Sequence, residues 1–214
     1  MNLNPRLLHL VALLTFYLMV HSVKGQYKKS PLEIRTDSLV AELHKRRVDS
    51  ICVYRSYCVG CRGSRITEDS SCSSKGDFTP TYVLWKQHSK TYLTYLDNCS
   101  IISPVVVYKD MFWSYLSVNW SEINKGTIKD FTTIDSDSGE AEVIHRNHGD
   151  NYSFDFIIGK DTISQYYDHF ALIKRTIFFH KKTKNIYYKQ NRKSPIRKIQ
   201  LQIDHAIVEA RKRH

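Results

Sequence analysis

The chain has 214 residues, with 32 Lys and Arg against 21 Asp and Glu and a formal net charge of +11. That length fits one domain and is enough to bury a sizeable core. The basic excess is spread along the sequence, with clusters at Lys45 to Arg47, Lys181 to Lys184, Arg192 to Arg197 and the last four residues, which reads as solvated surface and argues against a dedicated nucleic-acid face.

Arg6 precedes an apolar run from Leu7 to Val20, and Val23 and Gly25 suit the positions before a signal-peptidase cut. The run is 14 residues, short of the roughly 20 that span a bilayer, and no later segment is apolar enough to do so. Residues 1–25 are therefore expected to be a signal peptide, with a secreted, extracellular product and no transmembrane segment. Loss of Arg6 and Lys24 lowers the charge from +11 to +9. Secretion gives meaning to three sequons, which make Asn98, Asn119 and Asn151 candidate glycosylation sites that must face water.

Residues 26–50 form an N-terminal helical segment. Ser30, Pro31 and Glu33 match a capping box with Pro at the first helical position, and Leu39, Val40, Leu43 and Val48 have loose helical spacing, with a break expected near Thr36. Cys52 to Val59 is strand-like, and Gly60 to Gly76 is a loop rich in Ser, Gly and Cys. From Thr79 onward, strand signals recur at the spacing of an all-β meander. The predicted strands are Thr81 to Lys86, Lys90 to Leu96, Val105 to Lys109, Phe112 to Asn119 and Thr127 to Ile134. They continue with Glu140 to Arg146, Tyr152 to Ile158, Tyr166 to Ile173, Thr176 to His180 and Asn185 to Gln190.

The plainest pair is Tyr152 to Ile158, where Tyr152, Phe154, Phe156 and Ile158 fall on one side and Ser153 and Asp155 on the other, followed by turn chemistry at Gly159, Lys160 and Asp161 and by the returning run Tyr166 to Ile173. Short connections favour up-and-down topology. An amphipathic helix closes the chain over 193–214, with Ser194 as N-cap, Pro195 at its first position and Ile196, Ile199, Ile203 and Ile207 on one stripe.

An antiparallel meander of this size hides its edges by closing. The expected fold is thus all-β with flanking helices: an antiparallel up-and-down β-barrel over 51–192, with the C-terminal α-helix packed outside. Gly126 to Ala210 resembles the C-terminal half of a lipocalin, in which a Thr-Asp-Tyr motif opens the seventh strand and aromatic and Ala-Leu residues follow. Tyr167, Phe170, Ala171 and Leu172 match, Gln165 and Tyr166 replace the Thr and Asp, and Arg192 corresponds loosely to the family's Arg after the last strand. The resemblance implies a carrier whose interior aromatics surround a small hydrophobic, lipid-like molecule. Tyr152, Phe154, Phe156, Tyr167, Phe170 and Leu172 are the candidate ligand-binding residues.

Outside the cell, Cys52, Cys58, Cys61, Cys72 and Cys99 are expected to form two disulfides with one thiol left over, in preference to a zinc site or a redox pair at Cys58 and Cys61. His145, His148 and Asp150 read as a hairpin connection rather than metal ligands, and His169 and His205 as surface or satisfied core residues. Ser64 lacks a nucleophile elbow. No catalytic residue, metal or cofactor is expected, and the chain is not read as an enzyme. The alternative to a carrier is a secreted signalling or interaction protein that meets a receptor or polyanion through its basic surface and cysteine-rich loop.

Overall fold

The computed structural model describes residues 29–59, 80–97, 101–107, 111–126, 128–146 and 148–212. The expected signal peptide, the loop from Gly60 to Gly76 and Asn98 lie outside them. In chain order the first elements are helix α1 (Pro31–Lys45), strands β1 (Ser50–Val59), β2 (Thr81–Gln87), β3 (Lys90–Leu96) and β4 (Val105–Val107), and helices α2 (Phe112–Val118) and α3 (Trp120–Asn124). Strands β5 (Thr132–Ile134), β6 (Ala141–Val143), β7 (Gly149–Ile158) and β8 (Asp161–Asp168) follow. A 3₁₀ turn (His169–Leu172), strands β9 (Arg175–Phe178) and β10 (Lys181–Lys184), and helices α4 (Tyr188–Lys193) and α5 (Pro195–Arg211) complete the chain.

Six strands form one antiparallel sheet in the order β4-β3-β2-β1-β7-β8. The runs Ile51 to Tyr54 and Thr81 to Trp85 are buried without alternation, as central strands covered on both faces must be. On one face, Leu32, Leu39, Val40 and Leu43 of α1 pack with Ile51, Val53, Val83 and Trp85. On the other, Ile196, Ile199, Ile203 and Ile207 of α5 pack with Tyr54, Phe154, Phe156 and Tyr167. A smaller cluster of Phe131, Ile144 and Phe170 lies apart, with Phe131 and Phe170 stacked at 4.5 Å. The two-stranded sheets β5–β6 and β9–β10 complete the strands.

The signals at the start of α5 and at the β7–β8 turn act as read. The Ser194 hydroxyl accepts from the Arg197 amide at 3.4 Å and Pro195 opens α5. The β7–β8 register pairs Ile158 with Asp161, leaving Gly159 and Lys160 as a two-residue turn whose first position, at φ +61°, suits Gly. Helix α1 starts at Pro31 as expected but runs unbroken through Thr36, whose hydroxyl donates to the Leu32 carbonyl at 2.8 Å and so satisfies itself inside the helix.

Several expectations are corrected. Among the described residues the sheet does not close into a barrel, with β4 and β8 as its edges, and β1 pairs with β7 as well as with its sequence neighbour β2. Up-and-down order therefore holds from β1 to β4 and again from β7 to β8, and is broken where β1 meets β7. Helices α5 and α2 fill the side of the sheet across which β4 and β8 would have to meet, so the C-terminal helix covers the aromatic face instead of lying outside a closed cylinder.

Phe112 to Asn119, read as a strand, is mostly helix α2. Phe112, Trp113 and Leu116 bury one side of it, and the Trp113 indole donates to the Thr91 hydroxyl at 3.0 Å. Strand β8 stops at Asp168, whose carboxylate accepts from the Phe170 amide at 2.8 Å and turns the chain into the 3₁₀ segment. Asn185 to Gln190 is not a strand. The Asn185 amide donates to the Ala171 carbonyl at 2.8 Å, and Asn191, with 0% exposure, bonds both Ala171 and the Lys129 backbone, so side chains replace ladder partners there. The two predicted strands at Thr127 to Ile134 and Glu140 to Arg146 contract to three residues each.

Candidate functional site

The six residues expected to line a ligand space are all in contact with protein. Tyr152, Phe154 and Phe156 on β7, Tyr167 on β8 and Leu172 in the 3₁₀ turn join the main core beneath α5, and Phe170 joins the smaller cluster; none exceeds 8% exposure. Phe154 stacks on Phe156 at 5.8 Å and on Tyr167 at 6.1 Å. The Tyr167 hydroxyl is held by α5: it and Arg197 both donate to the Gln200 side-chain oxygen, and Gln200 in turn donates to Asp204 at 3.0 Å. Tyr54 donates to the other Asp204 oxygen at 2.9 Å, and Arg211 donates to the Tyr82 hydroxyl at 2.6 Å. Burial pushes the Tyr54 and Tyr167 hydroxyls well above the usual phenol range, so both remain donors.

Cys52 is free and fully buried in the main core, so of the five candidate disulfide cysteines it is not a paired one and is compatible with the single thiol expected to be left over; it packs from β1 with the isoleucines of α5. Desolvation raises its thiol, so it is inert to exchange. Cys58, six residues along the same strand, is disulfide-bonded, and Cys61, Cys72 and Cys99 lie outside the described residues.

Asn151 cannot face water as its sequon requires. It is 4% exposed, its amide donates to the Gly149 carbonyl at 3.0 Å, and its oxygen accepts from Tyr166. Asn119 is half-buried at the junction of α2 and α3, where its amide donates to the Tyr115 carbonyl at 2.8 Å. Among the described residues no three His, Cys, Asp or Glu side chains gather around a common point that would hold a metal. His169 hydrogen-bonds Tyr152 at 3.1 Å, and His205 is exposed.

Among the described residues an open concavity lies elsewhere. Hairpins β5–β6 and β9–β10 and the start of α4 enclose a cleft of about 900 Å³. Its lining carries six cations, Lys174, Arg175, Lys181, Lys182, Lys184 and Lys189, against two carboxylates, Asp135 and Glu142. Ile134, Phe178, Phe179 and Ile186 add apolar surface, and neither His nor Cys is present. Lys181 donates to Asp137 at 2.9 Å; that contact raises the lysine and lowers Asp137 from their ordinary values. Asp135 is lowered mainly by the Ser138 hydroxyl, within the turn that joins β5 to β6. Among the described residues, Lys174, Arg175, Lys182, Lys184 and Lys189 have no carboxylate partner.

Such a set has no nucleophile held by a base. What it can do is attract and neutralise anions. The sequence did mark Lys181 to Lys184 as a cluster, but β10 gains its meaning from Lys174, Arg175 and Lys189, which only folding brings beside it. Compared with protein-family models, with curated proteins and with solved structures, the chain matches none.

Proposed function

We propose that this chain is a secreted interaction protein that binds an anionic partner through the cleft formed by β5–β6, β9–β10 and α4. The observation that carries this reading is the cluster of cations lining one concave surface, of which, among the described residues, only Lys181 is held by a neighbouring carboxylate. Electrostatic attraction of this kind acts on association, falls with added salt and needs no covalent chemistry.

A lipocalin-like carrier is the other reading. It requires β4 and β8 to close on one another and the aromatic face to hold a guest, and the packing of α5 over that face counts against it.

The test is retention on immobilised heparin over a salt gradient. The wild-type chain should elute at high salt, and a Lys182→Glu, Lys184→Glu variant should elute much earlier while keeping its circular dichroism spectrum. Unchanged elution of the folded variant would remove the cleft from the interaction.

A further inference from the structure

The hairpin β9–β10 carries a feature that a site for a soluble polyanion does not need. Its register pairs Phe178 with Lys181, leaving Phe179 and His180 as the whole connection, with φ of 44° and 63°. A two-residue turn with both positions left-handed is the one that Asn-Gly or Asp-Gly forms most easily. Here an aromatic and an imidazole occupy it against that preference, and Phe179 is 80% exposed, with the ring of Phe178 as its aromatic neighbour at 4.4 Å. Backbone strain together with an unburied aromatic side chain is a combination found at functional sites.

Cross-strand partners share a face, as do residues two apart. Ile177, 69% exposed, therefore stands beside Lys182, and Arg175 beside Lys184, on one surface of the hairpin. From tip to base the order is aromatic, then aliphatic with a cation, then two cations. The two-residue step along β9 is roughly 7 Å, comparable to the roughly 5–10 Å that interfacial apolar groups enter a bilayer. With Phe179 and Ile177 at the acyl boundary, the Arg175, Lys182 and Lys184 charges lie at the level of the phosphates, their aliphatic stems spanning the difference.

We propose that the β9–β10 hairpin is a peripheral wedge for an anionic lipid surface, with Phe179 and Ile177 entering it and Arg175, Lys182 and Lys184 binding its headgroups. This rests on the reading of the basic cleft as an anion-binding face and names the partner. A sulfated polysaccharide matches the cations but offers the exposed Phe179 and Ile177 no apolar layer; a lipid surface offers both. Among the described residues no helix is long and apolar enough to cross a membrane, so attachment by these residues is superficial.

The experiment is co-sedimentation of the mature chain with phosphatidylcholine vesicles, with and without phosphatidylserine, beside heparin retention. Wild type should bind the phosphatidylserine vesicles at least tenfold better than neutral ones. The Phe179→Asn, His180→Gly variant supplies the residues the turn favours, so it folds at least as well; it should lose at least tenfold in vesicle binding and keep its heparin retention. The Lys182→Glu, Lys184→Glu variant should lose vesicle binding as well, whereas a Lys45→Glu, Lys86→Glu control, which makes the same change of charge on other elements, should bind vesicles as wild type does. Wild-type vesicle binding by the turn variant, or an equal loss in the control, overturns the wedge. Heparin retention by wild type without vesicle binding also overturns it while leaving the anion-binding function standing; loss of both removes the two together.

Discussion

Asp204 shows how one side chain links sheet to helix. It takes hydrogen bonds from Tyr54 and Gln200 beneath α5, yet burial still raises its pKa, outweighing the Tyr54 hydroxyl, the Arg197 charge and the Gln200 amide that favour the anion. The folded chain therefore binds this proton more tightly than the unfolded one. Its contribution to stability is full below the ordinary carboxylate pKa and is lost as pH rises through the raised folded value. Asp204→Asn removes that component. In urea unfolding across this window, wild type should lose stability relative to the variant as pH rises; parallel pH profiles for the two would refute the assignment. Cys52 belongs to the same layer and explains the odd cysteine: a thiol between β1 and α5 packs as a small apolar group.

At the scale of elements, the helix signals were the most legible. Ser194 followed by Pro195 and a three-and-four isoleucine spacing placed the start of α5 to the residue, because a cap and a stripe are local chemistry. Ser194→Ala should cost about 1 kcal/mol of unfolding free energy and Ser194→Gly only a few tenths. Equal losses for the two would mean that the hydroxyl bond to the Arg197 amide is not what stabilises this end. Gly159 likewise marked the β7–β8 turn. Legibility failed where local signals conflict. Phe112 to Val118 is rich in strand-forming residues, but helical spacing of Phe112 and Leu116 against the core decided the outcome. At Asn185 and Asn191 the deciding partners were backbone groups at Ala171 and Lys129, well removed in sequence.

For the whole molecule, the choice lies between a hollow and a filled sheet. Eighteen buried residues from β1, β2, β3, α2, α3, β7, β8, the 3₁₀ turn and α5 form one core, and the aromatics expected to surround a guest surround isoleucines. A fluorescent fatty-acid probe should accordingly gain no intensity with the native chain. Saturable enhancement at one equivalent would restore the carrier reading and would require α5 to leave the sheet. Phe154→Ala, at the centre of this core with 0% exposure, should cost about 3–5 kcal/mol in the same urea assay. A loss below 1 kcal/mol would show that the face is less tightly filled than its contacts indicate.

Composition, alternation and caps were sufficient to read a β-rich chain with a helix near each end of its folded part, an inward aromatic strand at Tyr152 to Ile158 and a basic surface, because each depends on residues within a few positions of one another. The pairing of β1 with β7, the open edges at β4 and β8, the helix over the aromatic face and the gathering of Lys174, Arg175 and Lys189 beside β10 were decided only by folding. Contacts between segments tens of residues apart depend on which surfaces compete to be buried together, and no local pattern in the chain encodes the winner.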